Sequence, residues 1–209
     1  AMPARKDWRI GMVGFGGIAR SSHAPAYQQA GWTIAAVADP KPEARTLAAE
    51  RFGVAKVVAD HMELIDDDSI EVIDLLTHPT IREEVVLAAL KAGKHVITEK
   101  PFAQTMAECE RMVEAAERCG RKLAVHQNYR WNPGNFAARH LIQTGWIGKP
   151  FFASIEIFGS QDVGLAKHDF YAKCDDFLTI QWNNHLVDLL RCWVGMDAHR
   201  VLTRTRRME

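Results

Sequence analysis

The 209-residue sequence has little that would direct it to a membrane or to a nucleic acid. It has no apolar run near the length of a membrane span. Its 26 basic and 26 acidic residues cancel, and no basic stripe indicates binding to nucleic acid or to anionic lipid. The start, A-M-P-A-R-K-D-W, lacks the apolar core of a signal peptide. We therefore expect neither a nucleic-acid nor a membrane partner.

Cysteine is scarce, and no C-x-x-C motif occurs. The four cysteines are Cys109, Cys119, Cys174 and Cys192. Because metal-site spacing is absent, reduced structural thiols are favoured over a zinc site, and a cytoplasmic location is expected. Several histidines also look too dispersed to form a metal site: His23, His61, His78, His95, His168 and His199. We predict no metal.

The most informative stretch is 7–39, where two apolar runs flank a glycine-rich turn and a helical pattern. The first run ends at Val13, and the second ends at an acid, Asp39. Gly14 allows a tight turn, and Gly16 has no Cβ, so backbone can approach a pyrophosphate. The following helix N-terminus offers unpaired N–H groups to phosphates.

This pattern predicts a dinucleotide site rather than an ordinary glycine turn, because strand, turn, helix and acid follow in the required order. Ala19 takes the third small position, and Asp39, 25 residues after Gly14, can accept hydrogen bonds from a ribose diol. The predicted cofactor-binding residues here are Gly14, Phe15, Gly16, Gly17, Ile18, Ala19 and Asp39.

Six short apolar strands alternate with helical segments over the first part of the chain. The strands are predicted at 8–13, 33–38, 56–59, 71–76, 95–98 and 123–125. Thr80 with Glu83, and Thr105 with Glu108, are predicted to cap two of the helices. Short connections and strands without alternation are typical of a doubly wound parallel α/β domain, which we place at residues 1–128. Ligands bind beyond the carboxyl ends of such strands. The strand ends that should converge are Gly14, Asp39, Thr77, Glu99–Lys100 and His126–Gln127.

The pattern changes over residues 129–209. Helical patterns cover 136–143 and 180–194, and the alternation at 151–158 predicts a strand of a second sheet. One or two strands do not make a stable sheet, so we predict a partial second domain.

Two residues are candidates for proton transfer. Lys100 directly follows a buried strand, where desolvation can lower the pKa of its amine, and a cis bond to Pro101 would fix its direction. The alternative is a surface lysine. His185 lies three residues before Asp188, on the same helical face, and the carboxylate could hold the imidazole. The alternative is a histidine satisfied structurally by its neighbour.

Together these residues resemble the glucose–fructose oxidoreductase / inositol dehydrogenase / MocA family of NAD(P)-dependent oxidoreductases. The resemblance runs from Arg9 to about Gly195. It is carried by G-F-G-G-I-A at 14–19, A-V-A-D-P at 36–40, A-G-K-H-V-I-T-E-K-P at 92–101, N-Y-R-W-N-P at 128–133, G-W-I-G-K-P at 145–150 and H-L-V-D at 185–188.

The resemblance implies a Rossmann sheet followed by a truncated α+β second domain, and hydride transfer between NAD (NADP is also possible) and a sugar, cyclitol or related substrate. It implies that Lys100 and His185 are catalytic. It places further cofactor contacts at Thr77, Glu99, Lys100 and Arg130, and substrate contacts at Lys100, Trp131, Gln181 and His185. A homo-oligomer is expected, because the second-domain sheet of the family often forms a dimer interface.

The chain also departs from the family pattern. Gln181 stands where an acid is usual, Asn183 where a glycine is usual, and Arg82 where a histidine is common. Three functions are therefore weighed. The first is an oxidoreductase using Lys100. The second is a dinucleotide-binding sensor or structural homologue without turnover. The third, a methyltransferase with an adenosine cofactor, leaves Glu99-Lys100-Pro101 unexplained.

Overall fold

A computed structural model describes residues 5–157 and 182–204. The chain divides into two compact units, Ala1–His126 and Gln127–Glu209. The sequence placed the domain boundary two residues later, after residue 128.

The first unit is built on a six-stranded sheet. Its strands are β1 (Arg9–Val13), β2 (Thr33–Ala38), β3 (Lys56–Val58), β4 (Val72–Leu75), β5 (His95–Thr98) and β6 (Leu123–Val125). Their order is β3-β2-β1-β4-β5-β6, and every pair is parallel. Strands β2 and β3 lie on one side of β1, and β4, β5 and β6 lie on the other, which is the doubly wound arrangement. The predicted fold class is confirmed.

Helices connect these strands. They are α1 (Ala24–Ala30), preceded by a π-helical turn (Ala19–His23), then α2 (Pro42–Phe52), α3 (Met62–Ile65), α4 (Arg82–Lys91) and α5 (Met106–Cys119). The capping box that the sequence predicts at Thr105 and Glu108 is present. The one predicted at Thr80 and Glu83 is wrong. A 3-10 turn, Pro79–Ile81, leads into α4 there, and no side chain caps the helix.

Apolar side chains cover both faces of the sheet. Ile10, Met12 and Val37 pack on one face, and Val13, Ile73 and Leu75 contribute to a second cluster. Alternate residues of a strand point to opposite faces, so strands covered on both sides are apolar throughout. This explains why the sequence shows continuous apolar runs.

The regular secondary structure in the described part of the second unit is helical. It contains a 3-10 turn (Asn128–Trp131), α6 (Pro133–Gln143) and α7 (Asn184–Val194). The Asn132 side chain accepts a hydrogen bond from Gly134 N and so caps α6. The predicted strand at 151–158 is wrong over 151–157, which has no regular structure, and Phe158 lies outside the described residues. Alternation gives a strand one apolar face, but a strand forms only beside a partner strand.

Among the described residues, no helix is both long enough and apolar enough to cross a membrane.

Candidate functional site

In the first unit, backbone hydrogen bonds link neighbouring strands just beyond their carboxyl ends. The N–H groups of Gly14, Glu99 and His126 each donate to the last carbonyl of a neighbouring strand, at 2.8, 3.0 and 2.8 Å. The sheet therefore continues one residue past each strand. As the sequence predicts, this brings the residues that follow β1, β2, β4, β5 and β6 to one edge.

The glycine turn has the shape that a phosphate site requires. Gly14 has φ +90°, and a Cβ there would lie 3.2 Å from the backbone carbonyl of Leu76, so only glycine fits. Gly16 and Gly17 have open space where a Cβ would be. Their backbone is therefore accessible, and the helical turn that begins at this point directs N–H groups outward.

Asp39 locks this turn to the end of β2. Its Oδ2 accepts a hydrogen bond from Phe15 N at 2.7 Å, and its Oδ1 accepts one from Lys41 N at 2.9 Å. Each carboxylate oxygen has a second lone pair for a further donor such as a ribose hydroxyl. The buried Phe15 and Ala19 hold the turn against the core, whereas Ile18 is exposed.

Thr77 follows β4, and Arg82 is the first residue of α4. The Thr77 hydroxyl oxygen is buried and finds no hydrogen-bond partner among the described residues. Arg82 is also buried, and its guanidinium donates to Thr77 O at 2.6 Å and to Pro101 O. Burial lowers the pKa of Arg82 to about 10, although the charge of Glu99 opposes the shift. A buried hydroxyl that lacks a partner among the described residues, next to the glycine turn, is suited to hydrogen-bond a polar ligand at this edge.

Lys100 follows β5 and is half-buried, and its bond to Pro101 is cis. Burial lowers the pKa of Lys100. The charge of Arg82 acts in the same direction, and the charge of Glu99 opposes both. A lysine whose pKa is lowered towards neutrality can exchange a proton with a reacting oxygen.

Glu99, the neighbour of Lys100 in the chain, belongs to a largely buried polar cluster that the sequence did not reveal. His23 Nδ1 lies 2.9 Å from Asp74 Oδ2, and His23 Nε2 lies 3.0 Å from Glu99 Oε1. The same Glu99 oxygen is 2.9 Å from His126 Nδ1, and the Tyr27 hydroxyl donates to Asp74 Oδ2 at 2.9 Å. The expectation that the histidines are dispersed is therefore wrong for His23.

The cluster determines the charge of its members. Burial alone would lower the pKa of His23, but hydrogen bonds and charge from Asp74 and Glu99 outweigh it and raise that pKa to about 9. Burial alone would raise the pKa of Glu99, but hydrogen bonds from His126 and His23 hold it well below its usual range. Glu99 is therefore an anion at neutral pH.

Candidate residues of the second unit form a separate group within that unit. His185 is buried, its Nδ1 lies 2.7 Å from Gln127 Oε1, and its ring stacks on Tyr129 with centroids 4.4 Å apart. Asp188 pairs with Arg130 through two hydrogen bonds, one of 2.7 Å from Nε. The prediction that Asp188 holds His185 is therefore wrong, because the guanidinium is a better partner for the carboxylate.

Two predicted site residues remain, Trp131 and Gln181. Trp131 is 68% exposed at the end of the 3-10 turn. Gln181 lies outside the described residues. Sequence spacing could not reveal Gln127 as the partner of His185, because 58 residues separate the two.

A parallel sheet in the order 3-2-1-4-5-6, with a glycine turn after β1 and an acid after β2, defines a dinucleotide-binding Rossmann domain. A family model described as "Oxidoreductase family, NAD-binding Rossmann fold" matches residues 8–127. The chain belongs to this family, the Gfo/Idh/MocA oxidoreductases, which confirms the resemblance seen in the sequence.

Several known proteins are similar to the chain. A D-apiose dehydrogenase of Paraburkholderia graminis is 29% identical over 98% of this chain and 54% of its own length. An inositol 2-dehydrogenase of Acidothermus cellulolyticus is 33% identical over 74% of this chain and 46% of its own length. A probable dehydrogenase from Thermotoga maritima superposes with a TM-score of 0.78 and 25% identity, over 90% of this chain and 56% of that structure. The chain thus spans about half the length of these relatives.

Proposed function

We propose that this chain supplies the cofactor-binding half, and the proton-transfer lysine, of an NAD-dependent oxidoreductase acting on a sugar or cyclitol. The observation that carries this proposal is the position of Lys100. It lies half-buried, with a lowered pKa, at the same sheet edge as the glycine turn and Asp39. The family supports the reaction type, and the two relatives named above act on a sugar and a cyclitol.

Different residues of the chain would bind the cofactor and transfer the proton. A bound nicotinamide would supply or accept the hydride. Gly14, Gly16 and the helical turn beyond them would hold the pyrophosphate, and the carboxylate of Asp39 would accept hydrogen bonds from a ribose. Lys100 would give or take the proton of the reacting hydroxyl. The Thr77 hydroxyl, which has no hydrogen-bond partner within the described ranges, would be a further donor to the cofactor.

We propose NAD rather than NADP as the cofactor. The carboxylate of Asp39 would repel a 2′-phosphate. Two nearby cations act against this preference. Lys41 lies two residues away, and the Arg45 guanidinium donates to the backbone carbonyls of Asp39 and Pro40 at 2.8 and 2.9 Å. Because Arg45 is already hydrogen-bonded, we expect it to soften the preference without reversing it.

We propose His185 as the second proton-handling group, supported by the family resemblance. Its contact with Gln127 fixes the ring plane, and Tyr129 limits its rotation by stacking. Arg130 and Trp131 stay proposed contacts for cofactor and substrate, although the guanidinium of Arg130 is engaged by Asp188. A homo-oligomer and a cytoplasmic location also stay predictions of the sequence.

A second candidate function is dinucleotide binding without turnover. It is favoured by Gln181, which replaces the usual acid, since an amide can hydrogen-bond a hydroxyl but cannot take its proton. The two functions share the Rossmann unit, and binding of NAD alone cannot separate them.

The test combines binding and turnover. Calorimetric titration with NAD, followed by a screen of sugars and cyclitols for changes in nicotinamide absorbance, should show binding and oxidation of at least one polyol. Binding without oxidation of any polyol, both in this chain and in a longer natural form, would favour the second function. Absence of binding would refute both.

A further inference from the structure

We propose that His23 is a positioning residue for Lys100, acting through the carboxylate of Glu99. His23 hydrogen-bonds one oxygen of the Glu99 carboxylate, and the other oxygen accepts a hydrogen bond from the backbone N–H of Lys100. The inference rests on the proposed role of Lys100. His23 lies in the helical turn after the glycine turn, and neither the sequence patterns nor the family resemblance gave it a role.

The first step is the geometry of Glu99. Its Oε1 accepts from two imidazoles, His23 at 3.0 Å and His126 at 2.9 Å, and its Oε2 accepts from Lys100 N at 3.2 Å. The carboxylate is buried, with 9% of the residue exposed. A carboxylate held on both oxygens has little freedom to swing, so the backbone of Lys100 is held with it.

The second step is the charge of His23. Its two nitrogens face two different carboxylates, those of Asp74 and Glu99. Hydrogen bonds and charge from these two carboxyl groups raise the pKa of His23 to about 9, so at neutral pH the ring is an imidazolium and both nitrogens donate. Asp74 lies fully buried within β4. The imidazolium therefore lies between two buried carboxyl groups, and its positive charge compensates the negative charge of Glu99.

The third step joins this charge to Lys100. The Glu99 carboxylate favours the charged form of the lysine, against burial and the charge of Arg82. An imidazolium bonded to Glu99 offsets that effect. Other groups that face the cluster are the Tyr27 hydroxyl from α1 and His126 beyond β6. Without His23, the two carboxylates would stabilise the Lys100 ammonium more strongly.

The test measures the titration of Lys100 itself, by NMR of the 209-residue chain labelled at lysine ¹³Cε, with Lys100→Met used to assign the signal. His23→Gln keeps a donor of similar length but removes the charge. We expect the pKa of Lys100 to rise by about 1 unit, the usual size for an altered neighbouring charge. The acidic limb of any turnover profile should move by the same amount.

Two further variants keep the test decisive. Tyr27→Phe is the matched control, because it removes a hydrogen bond to Asp74 but leaves the contact between His23 and Glu99. It should leave the Lys100 pKa within about 0.2 units, well below the effect of a lost charge. If His23→Gln does not fold, His126→Leu removes the other donor from the same oxygen at a more exposed position, and should raise that pKa by a smaller amount.

Clear outcomes would overturn the inference. An unchanged Lys100 pKa in a folded His23→Gln variant would do so, as would an equal shift in Tyr27→Phe. One side-chain nitrogen or oxygen atom from each of His23, Glu99 and His126 lies within 4.8 Å of the other two, close enough to hold a metal ion, so bound metal must also be measured. One equivalent of zinc, lost in His126→Leu, would replace the hydrogen-bond account with a metal centre. A shifted pKa together with full turnover in Lys100→Met would support the link but refute the proposed catalytic role.

Discussion

The carboxylate of Asp39 accepts the backbone N–H of Phe15 at 2.7 Å, so the acid after β2 fastens the glycine turn after β1. This contact gives Asp39 a structural role in addition to the proposed contact with ribose. A substitution of Asp39 therefore has two consequences. A loosened glycine turn weakens the binding of both cofactors, so the ratio of the two affinities isolates the effect on the ribose.

The first prediction is that Asp39→Ser shifts cofactor preference towards NADP. Removing the carboxylate ends its repulsion of a 2′-phosphate, and Lys41 and Arg45 then favour that phosphate. We expect the ratio of NAD to NADP affinity to fall by about tenfold or more, corresponding to about 1.4 kcal/mol. Calorimetric titration of both cofactors into both proteins gives the ratio.

Asp60→Ser is the control for this prediction. The Asp60 carboxylate accepts from the backbone N–H two residues later, as Asp39 does, at the same distance of 2.9 Å. It follows β3 and is exposed. Its replacement should weaken the local turn without altering cofactor choice. If the parent chain already binds NADP more tightly, the assignment of Asp39 is wrong.

The second prediction is that Lys100→Met removes most turnover and leaves NAD affinity nearly unchanged. General acid–base groups contribute about 10²–10⁴-fold in rate, and methionine keeps the length of the side chain without the amine. Steady-state kinetics with the substrate found by screening, together with titration of NAD, measure both effects.

Lys122→Met provides the comparison, since this lysine is exposed just before β6. It should retain the turnover of the parent. A Lys100→Met variant within twofold of the parent would exclude Lys100 as the proton-transfer group.

The sequence was sufficient for those parts of the fold that depend on local pattern. Strands β2, β5 and β6 have the predicted limits, because an acid or a histidine follows each apolar run. The capping box at Thr105 forms because both of its bonds are local. The box expected at Thr80 does not form, because Pro79 begins a 3-10 turn there and Arg82 reaches out to Pro101.

The candidate site was predictable only where the chain itself supplies the spacing. The glycine turn, Asp39 and Lys100 each follow the carboxyl end of a strand, and a parallel sheet brings these ends together at one edge. The His23–Glu99 pair spans 76 residues, and the His185–Gln127 pair spans 58. Neither pair has a sequence signal. The prediction for Asp188 failed because spacing on one helix does not include the competing guanidinium of Arg130.

The third prediction follows from that correction. Gln127→Leu should lower turnover by about tenfold or more if His185 is catalytic, because the imidazole loses the hydrogen bond that fixes its ring. Asp188→Asn should instead lower stability, since it breaks the ion pair that ties α7 to the Asn128–Trp131 turn. Breaking a partly buried, charge-assisted pair costs about 1–3 kcal/mol.

Kinetics and urea unfolding on both variants separate these effects. Asp197→Asn is the comparison for Asp188, because Asp197 also pairs with an arginine, Arg191, but at an exposed position. It should change stability very little. A loss of turnover in Asp188→Asn as large as that in Gln127→Leu would restore the original assignment of Asp188 to His185.

The fourth prediction concerns stability as a function of pH. The pKa of His23 is raised from 6.5 to about 9 in the folded chain, so the folded state binds this proton more tightly. The contribution of this proton to the free energy of unfolding is complete below pH 6.5 and is lost as the pH rises through about 9. A shift of this size corresponds to at most about 3 kcal/mol.

Urea unfolding at several pH values between 6 and 10 should therefore show the free energy of unfolding falling across this window. In His23→Gln the fall should be absent, whereas His61→Gln, outside the cluster, should retain it. Equal pH dependence in the parent and His23→Gln would mean that another group releases the proton, and the imidazolium between Asp74 and Glu99 would then be excluded.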